Sequence, residues 1–137
     1  MDCIFCKIAK GELPSSKVYE DDDFIAILDL FPITKGHTLL IPKKHHVNIF
    51  DQPEDTGAKV YLVLAKLARA IKTATGAEGL NIMQNNGEIA GQVVFHSHIH
   101  LFPRSGDDGI KISATNKTKA TDEYMADYVK KITGALS

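Results

Sequence analysis

The sequence lacks the features that would place its 137 residues in a membrane or on nucleic acid. No apolar run approaches the roughly 20 residues of a membrane-spanning helix, and the opening Met-Asp-Cys lacks the charged-then-apolar pattern of a signal peptide. Sixteen Lys and Arg residues are balanced by seventeen Asp and Glu residues, which leaves a net charge of −1. Such a balance gives no strong electrostatic field that would attract nucleic acid or a membrane surface. We therefore expect a cytoplasmic protein without a nucleic-acid or membrane partner.

Several motifs of catalysis and nucleotide binding are also missing. The chain has no G-x-G-x-x-G turn and no P-loop lysine, which argues against a Rossmann or Walker-type phosphate site. It has no G-x-S-x-G elbow for a serine nucleophile, and no pair of carboxylates marks a defined acid–base site. The chemistry must therefore come from other residue types.

Cysteine occurs only twice, as Cys3 and Cys6. In a reducing compartment this C-x-x-C spacing indicates half of a metal site or a redox pair. A redox pair of this kind opens a helix after a strand, and no strand precedes Cys3, so we favour metal ligation. With His96 and either His45 or His46, the two cysteines would complete a closed, structural Cys2His2 tetrahedron.

Hydrophobic periodicity predicts one α+β domain without repeats or linkers, and 137 residues can bury a core without disulfides. Val60, Leu64, Leu67 and Ile71 recur at helical spacing, and Gly76 ends that segment. The predicted helices are 3–10, 54–75 and a last one capped by Thr121; the predicted strands are 17–20, 24–28, 37–42, 80–84 and one through 96–100, with a short extended piece at 110–114.

The most informative pattern that remains is a row of three alternating histidines, His96, His98 and His100. Period-two alternation predicts a β-strand with all three imidazoles on one face. A strand rises about 3.3 Å per residue, so the outer two would lie about 13 Å apart. Because a zinc–nitrogen bond is only about 2.0–2.1 Å long, the three cannot share one ion unless the strand bends. At least one of them therefore needs another role.

Neutral histidine is suited to group transfer. A free imidazole has a pKa of about 6.5, so near neutral pH it can act as a base or a nucleophile. An acceptor on its second nitrogen fixes the tautomer for attack, and a neighbouring imidazolium can protonate a leaving group. Ser97 alternates away from the histidine face and is not a candidate nucleophile. The pattern favours group transfer through histidine, and a zinc enzyme built on the histidine row itself is the alternative.

Residues 96–102 read His-Ser-His-Ile-His-Leu-Phe, which resembles the His-φ-His-φ-His-φ-φ signature (φ, hydrophobic) of the histidine triad (HIT) family. Residues 4–8, 19–22, 36–45 and 91–92 resemble the Hint branch in order and spacing. The resemblance covers about residues 2–104, and the paired cysteines with a helical tail at about 121–136 are similar to the bacterial Hit subgroup. It implies one HIT domain over 1–137, with a five-stranded antiparallel sheet, one long packing helix, short N- and C-terminal helices and a homodimer whose sheets join.

The resemblance also implies an activity on purine nucleotides of the AMP or GMP type, by hydrolysis or transfer, typically splitting a nucleoside 5′-phosphoramidate or a related adenylate. It assigns His98 as the nucleophile that becomes nucleotidylated, His100 as the contact to the α-phosphate and leaving group, and His96 and His37 as supporting histidines, with no catalytic metal. The matches to the nucleotide pocket are Ile4, Phe5, Ile8, Ile27, Asp29, Leu30, Asn85, Gly91, Gln92, His98 and His100; the matches to ligands of a structural zinc ion are Cys3, Cys6, His45 and His96.

Two positions depart from the family pattern. Ser97 stands where the signature has a hydrophobic residue, but it should face away from the histidines. Val93 stands where Hint enzymes often carry a serine that bonds the phosphate, so a dinucleoside polyphosphate is an alternative substrate. A nucleotide-binding or interaction module with weak catalysis is the other alternative.

Overall fold

A computed structural model describes residues 2–111 and 118–136 as a five-stranded antiparallel sheet with three α-helices. The strands are β1 (Lys17–Glu20), β2 (Phe24–Leu28), β3 (Thr38–Pro42), β4 (Gly79–Met83) and β5 (Ile99–Arg104); the helices are α1 (Ile4–Ala9), α2 (Glu54–Thr75) and α3 (Asp122–Ala135), with short 3-10 turns at Ile49–Asp51 and Glu88–Ala90. The strand order is β1-β2-β3-β5-β4. The predicted α+β fold is confirmed.

The long helix α2 has the bounds that its sequence predicts. Glu54 and Asp55 lie in its first turn, where negative charge interacts favourably with the helix dipole. At its other end Gly76 adopts a left-handed φ of +70°, and its N–H donates to the carbonyl of Lys72. This conformation is open to glycine at no steric cost, and it stops the helix.

The interior strands β2 and β3 are covered on both faces, so they are continuously buried apart from Leu28. Phe24 and Ala26 of β2 pack toward α2 in one cluster, with its Val60, Leu64 and Leu67. The alternate residues of β2 pack toward α1 in a second cluster, of which the buried members are Cys3, Phe5, Ile8, Ile25, Ile27, Leu39 and Ile41. The second cluster fixes the C-x-x-C segment against the sheet face on which His100 lies.

The predicted histidine strand is only half correct, because β5 begins at Ile99. His96 and His98 lie in the irregular segment before it. The His96 carbonyl accepts a hydrogen bond from the ring of His98 at 2.8 Å, so the local chain satisfies it without a strand ladder. The backbone N–H of Ser97 donates to the carbonyl of His46 at 2.8 Å, which ties this segment to the chain that follows β3.

The C-terminal helix α3 begins as predicted, with Thr121 accepting a hydrogen bond from the N–H of Tyr124 at 3.0 Å. None of its residues is buried in the single chain. Of the predicted extended piece at 110–114, residues 112–114 lie outside the described residues, and 110 and 111 have no regular structure. Among the described helices, none combines the length and apolarity needed to cross a membrane.

Candidate active site and metal centre

Four side chains from distant parts of the chain converge beside α1 and form what we call the cysteine–histidine cluster: Cys3, Cys6, His45 and His96. The Nδ1 atom of His96 lies 3.3 Å from the sulfur of Cys3, 3.5 Å from that of Cys6 and 3.0 Å from Nδ1 of His45. All four potential ligand atoms lie within 4.8 Å of one another. Tetrahedral zinc with bonds of about 2.0–2.3 Å places neighbouring ligand atoms roughly 3.3–3.8 Å apart. Two of the quoted distances lie in this range and the third is about 0.3 Å shorter, so the cluster fits a zinc ion after a small adjustment.

The protonation of His96 also suits metal binding. Its Nε2–H donates to the carbonyl of Pro42 at 2.7 Å, so its Nδ1 carries the lone pair that points at the cysteines. Burial, reinforced by the neighbouring imidazoles, lowers the pKa of His96 to about 4, so the ring is neutral at pH 7. Burial and the adjacent Cys3 raise the pKa of the Cys6 thiol. Because zinc binds the thiolate, metal binding must release protons.

The His98 side chain makes one hydrogen bond, through Nδ1, among the residues that the structure describes. Its Nδ1–H donates to the His96 carbonyl at 2.8 Å, which leaves the lone pair on Nε2. The Phe5 ring packs edge-on against the imidazole at 5.1 Å between centroids, and burial lowers the pKa of His98. A buried, neutral imidazole with a fixed tautomer is the form that a histidine nucleophile requires.

His37 and His100 form a relay next to His98. The backbone N–H of Ile33 donates to Nδ1 of His37 at 3.2 Å, so His37 carries its proton on Nε2. That Nε2–H donates to Nδ1 of His100 at 2.9 Å, and His100 in turn carries its proton on Nε2. A carboxylate oxygen of Asp29 lies 3.7 Å from the same His37 nitrogen. The Nε2–H of His100 is thus available as a hydrogen-bond donor close to His98, because the centroids of the two rings lie 5.2 Å apart.

Asp29, His37 and His100 also lie close enough together to be considered as a metal site. Their hydrogen bonds argue against it. A metal on His37 Nε2 would displace the proton given to His100, while Nδ1 is already the acceptor for Ile33. We therefore interpret this group as a hydrogen-bonded relay and not as a metal site.

We expect the free energy of unfolding of the metal-free protein to fall as the pH drops from about 6.5 to 4. In the unfolded chain a histidine has a pKa of about 6.5, whereas burial lowers the pKa values of His96 and His100 to about 4 in the fold. Between these values the unfolded chain binds protons that the folded chain does not, so stability present above pH 6.5 is lost on acidification. Urea unfolding at pH 7, 6 and 5 measures the slope, and His100→Asn should flatten it. An equal slope in both proteins would contradict the assignment.

A model of the HIT domain matches residues 10–107 of the chain. The chain belongs to the HIT family. It is 43% identical over 136 residues to Protein hit of Bacillus subtilis, covering 99% of this chain and 92% of that protein. It is 45% identical over 107 residues to Adenylylsulfatase HINT3 of Arabidopsis thaliana, covering 78% of this chain and 54% of that longer protein.

Solved structures of HIT proteins share the fold. The crystal structure of SMU.412c from Streptococcus mutans matches with a TM-score of 0.94 at 43% identity, covering 99% of this chain and 86% of that one. A zinc-bound histidine triad family protein from Mycobacterium smegmatis matches with a TM-score of 0.77 at 36% identity, covering 99% of both chains. The zinc in the second structure belongs to that protein; in this chain the fit to zinc comes from the cluster described above.

The structure places the nucleotide-pocket residues implied by the HIT resemblance in three environments: the buried α1-side cluster, the exposed surface, and a hydrogen-bonded loop. Phe5, Ile8 and Ile27 are buried in the α1-side cluster, and Phe5 contacts the rings of His96 and His98. Ile4 is 50% exposed and Leu30 is 84% exposed, so both are open to a ligand.

The loop side of the HIT site is held together by side chains. Asn85 donates to the carbonyl of Gly91 at 3.3 Å, which closes the turn around the Glu88–Ala90 3-10 helix. Gln92 is only 3% exposed, and its carboxamide makes four hydrogen bonds within the protein. The side chain of Gln92 thus has no hydrogen-bonding capacity left for a nucleotide, and the predicted contact is limited to its main chain.

Some groups of the site were not predicted from the sequence. The carbonyls of Pro42 and His96 and the N–H of Ile33 fix the histidine tautomers, but they are main-chain groups without a signal in residue type. Phe102 was placed only in the signature, yet its ring stacks on His100 at 5.3 Å and meets His37 at 4.4 Å. Its position two residues after His100 on a strand would have predicted that the two side chains lie on the same face.

Proposed function

We propose that this HIT protein is a purine nucleotide hydrolase or nucleotidyl transferase that cleaves nucleoside 5′-phosphoramidates or related adenylates through a nucleotide bound covalently to His98. The observation that carries the proposal is the hydrogen bond from His98 Nδ1 to the His96 carbonyl, which leaves the lone pair of the ring on Nε2. The activity named for the relative HINT3, an adenylylsulfatase, is also a cleavage at an adenylate and supports this class of substrate.

In the first step His98 Nε2 attacks the α-phosphorus, a nitrogen–phosphorus bond to His98 forms, and the bond to the leaving nitrogen breaks. The negative phosphate opposes the burial that keeps His100 neutral, and Asp29 acts in the same direction by raising its pKa. Protonated His100 carries a hydrogen on Nδ1 as well, so its hydrogen bond from the Nε2–H of His37 is broken in this state. Its Nε2 then gives a proton to the leaving nitrogen. In the second step water attacks the phosphorus, its proton passes to His100, and His98 leaves as the neutral imidazole.

The remaining residues would bind the nucleotide. The second carboxylate oxygen of Asp29 accepts from the N–H of Phe31 at 2.8 Å, which holds the carboxylate at the mouth of the site, where it can meet the ribose hydroxyls. Ile4 and Leu30 would cover the base with the buried Phe5, Ile8 and Ile27 beneath. Asn85 and the main chain of Gly91 and Gln92 would face the phosphate.

The zinc ion would be structural. Cys3, Cys6, His45 and His96 would provide all four ligands, and a closed tetrahedral site leaves no position for substrate. A bound zinc ion would supply cross-linking of α1 to the segments that carry His45 and His96. His98 and His100 are outside the cluster, so we propose chemistry without a catalytic metal.

A second copy of the chain is the proposed partner. β4 is an edge strand, since none of the described strands pairs with its outer side, and Ile82 on it is 43% exposed. Tyr61 and Leu62 of α2 are also exposed large side chains. An open edge beside apolar groups favours extension of the sheet into a partner's sheet, as in the homodimer that the resemblance implies. We place this homodimer in the cytoplasm and treat residues 1–137 as one HIT domain.

A dinucleoside polyphosphate is the second candidate substrate. Val93 is 82% exposed beside the loop that would face the phosphate, and its side chain cannot donate a hydrogen bond. The loss of a hydroxyl at this position would weaken selection for one leaving group. Comparing the two substrate classes on the same protein ranks them directly.

Trapping of the intermediate tests the proposed function. When the protein is mixed with adenosine 5′-phosphoramidate and quenched within one turnover, we expect AMP as product and one adenylyl group on His98. Peptide mass spectrometry locates the group. AMP release with the label on another residue, or binding without any release, would refute the covalent mechanism.

A further inference from the structure

The Gln92 side chain uses every hydrogen-bonding group it has. Its Nε2 donates to the carbonyls of Val47 at 2.6 Å and Val94 at 3.1 Å. Its Oε1 accepts from the N–H of Gly87 at 2.8 Å and from Nδ2 of Asn48 at 3.2 Å. A carboxamide offers two donors and two acceptor sites, so this buried group is saturated.

The partners of Gln92 belong to segments that carry the functional residues. Val47 and Asn48 follow the zinc-ligand candidate His45, and Val94 precedes the second candidate, His96. A further bond, from the N–H of Ser97 to the carbonyl of His46, joins the same two segments. The Gln92 carboxamide therefore lies between the two chain segments that carry His45 and His96, whose Nδ1 atoms are 3.0 Å apart.

Gln92 also closes the loop proposed to face the phosphate. Its backbone N–H donates to the carbonyl of Gly87 at 3.1 Å, and the N–H of Gly87 donates back to its side chain. Gly87 and Gly91 have left-handed φ values of +96° and +93°, which favour glycine. Because glycine restricts the backbone little, the conformation of this loop depends on hydrogen bonds such as this reciprocal pair between Gly87 and Gln92.

We infer that Gln92 is a positioning residue: its side chain joins the 47–48 segment, Gly87 and Val94, and so sets both the His45–His96 spacing and the shape of the phosphate-facing loop without touching the nucleotide. Removing it leaves the N–H of Gly87, the amide of Asn48 and the carbonyls of Val47 and Val94 without these bonds, and all four groups are partly buried. Leaving such groups unpaired costs free energy. The inference rests on the proposed function only for its catalytic readout. Zinc affinity and amide exchange test it independently.

Two substitutions and a matched control provide the test. Gln92→Ala removes all four bonds, whereas Gln92→Glu keeps the size and the acceptor oxygens but places a carboxylate against the carbonyls of Val47 and Val94. Ile89→Ala changes a fully exposed side chain in the same loop and is the control. We expect both Gln92 variants to bind Zn²⁺ about 10- to 100-fold more weakly in a chelator competition, the range found for groups that orient metal ligands. Ile89→Ala should match the wild type.

Hydrogen exchange gives a readout that a nucleotide contact would not move. In the wild type without nucleotide, the Gln92 carboxamide protons and the Gly87 amide should be protected, and Gln92→Ala should speed Gly87 exchange at least tenfold. With adenosine 5′-phosphoramidate we expect kcat to fall more than KM rises. Unprotected carboxamide protons in the wild type, or a rise in KM with zinc affinity and Gly87 exchange unchanged, would overturn the inference. If the wild type releases no AMP, the proposed function fails, and zinc affinity and exchange still decide the role of Gln92.

Discussion

Replacing His98 by alanine should reduce AMP release from adenosine 5′-phosphoramidate by at least about 10³-fold, since removal of a covalent nucleophile eliminates the pathway that it opens. The reason lies in the site: His98 presents a free Nε2 lone pair, whereas the lone pair of His96 faces the two cysteines. The Nδ1 lone pairs of His37 and His100 accept from the N–H of Ile33 and from the Nε2–H of His37. No neighbouring imidazole can take its place without breaking those bonds. Single-turnover measurements of AMP formation, which exclude product release, give the effect.

Two controls separate the chemical role of His98 from folding. The variant should bind AMP with a Kd within a few-fold of the wild type, because Asp29, Ile4 and Leu30 are unchanged. Added imidazole should restore part of the activity by entering the space of the missing ring and attacking the phosphorus itself. AMP release at the wild-type rate by His98→Ala would remove His98 from the mechanism, and failure to bind AMP would make the loss structural.

Much of the fold could be predicted because its signals are local. The helical spacing of apolar residues and the stop at Gly76 delimit α2. The uninterrupted apolar runs of β2 and β3 are typical of strands covered on both faces, as both proved to be. The alternation of His96, His98 and His100 identified the face of the site, but the strand starts at Ile99, and the His96 carbonyl bonds the His98 ring instead of a neighbouring strand.

The finer structure of the site depends on contacts across the chain. His45 and His46 are neighbours in sequence, and only the fold shows that His45 reaches the cysteines while the ring of His46 lies near the carbonyl of Lys44. An amide side chain such as that of Gln92 gives no sign in sequence of whether it faces a ligand or the protein. Histidine tautomers are equally hidden, because main-chain carbonyls choose them.

The different positions of His45 and His46 predict that only one of the two substitutions has a large effect on zinc binding. We expect His45→Asn to lose tightly bound zinc and His46→Asn to keep it, because only His45 lies with Cys3, Cys6 and His96. Zinc at a thousand times its Kd would stabilise the fold by about 4 kcal/mol. For a chain of this length that corresponds to a fall in Tm on the order of 10 °C when zinc is removed. Metal content and thermal unfolding with and without a chelator measure both effects.

The chelator experiment also separates structural from catalytic zinc. If the ion only holds α1 to the segments of His45 and His96, the zinc-free protein below its lowered Tm should still adenylylate His98, and readded zinc should restore the Tm. The His98 Nε2 lone pair depends on the His96 carbonyl, so a modest slowing through displacement of His96 is compatible with the structural role. Complete and reversible loss of activity in a protein that stays folded would instead make the zinc part of the chemistry. That outcome would return the histidine row to the metalloenzyme interpretation.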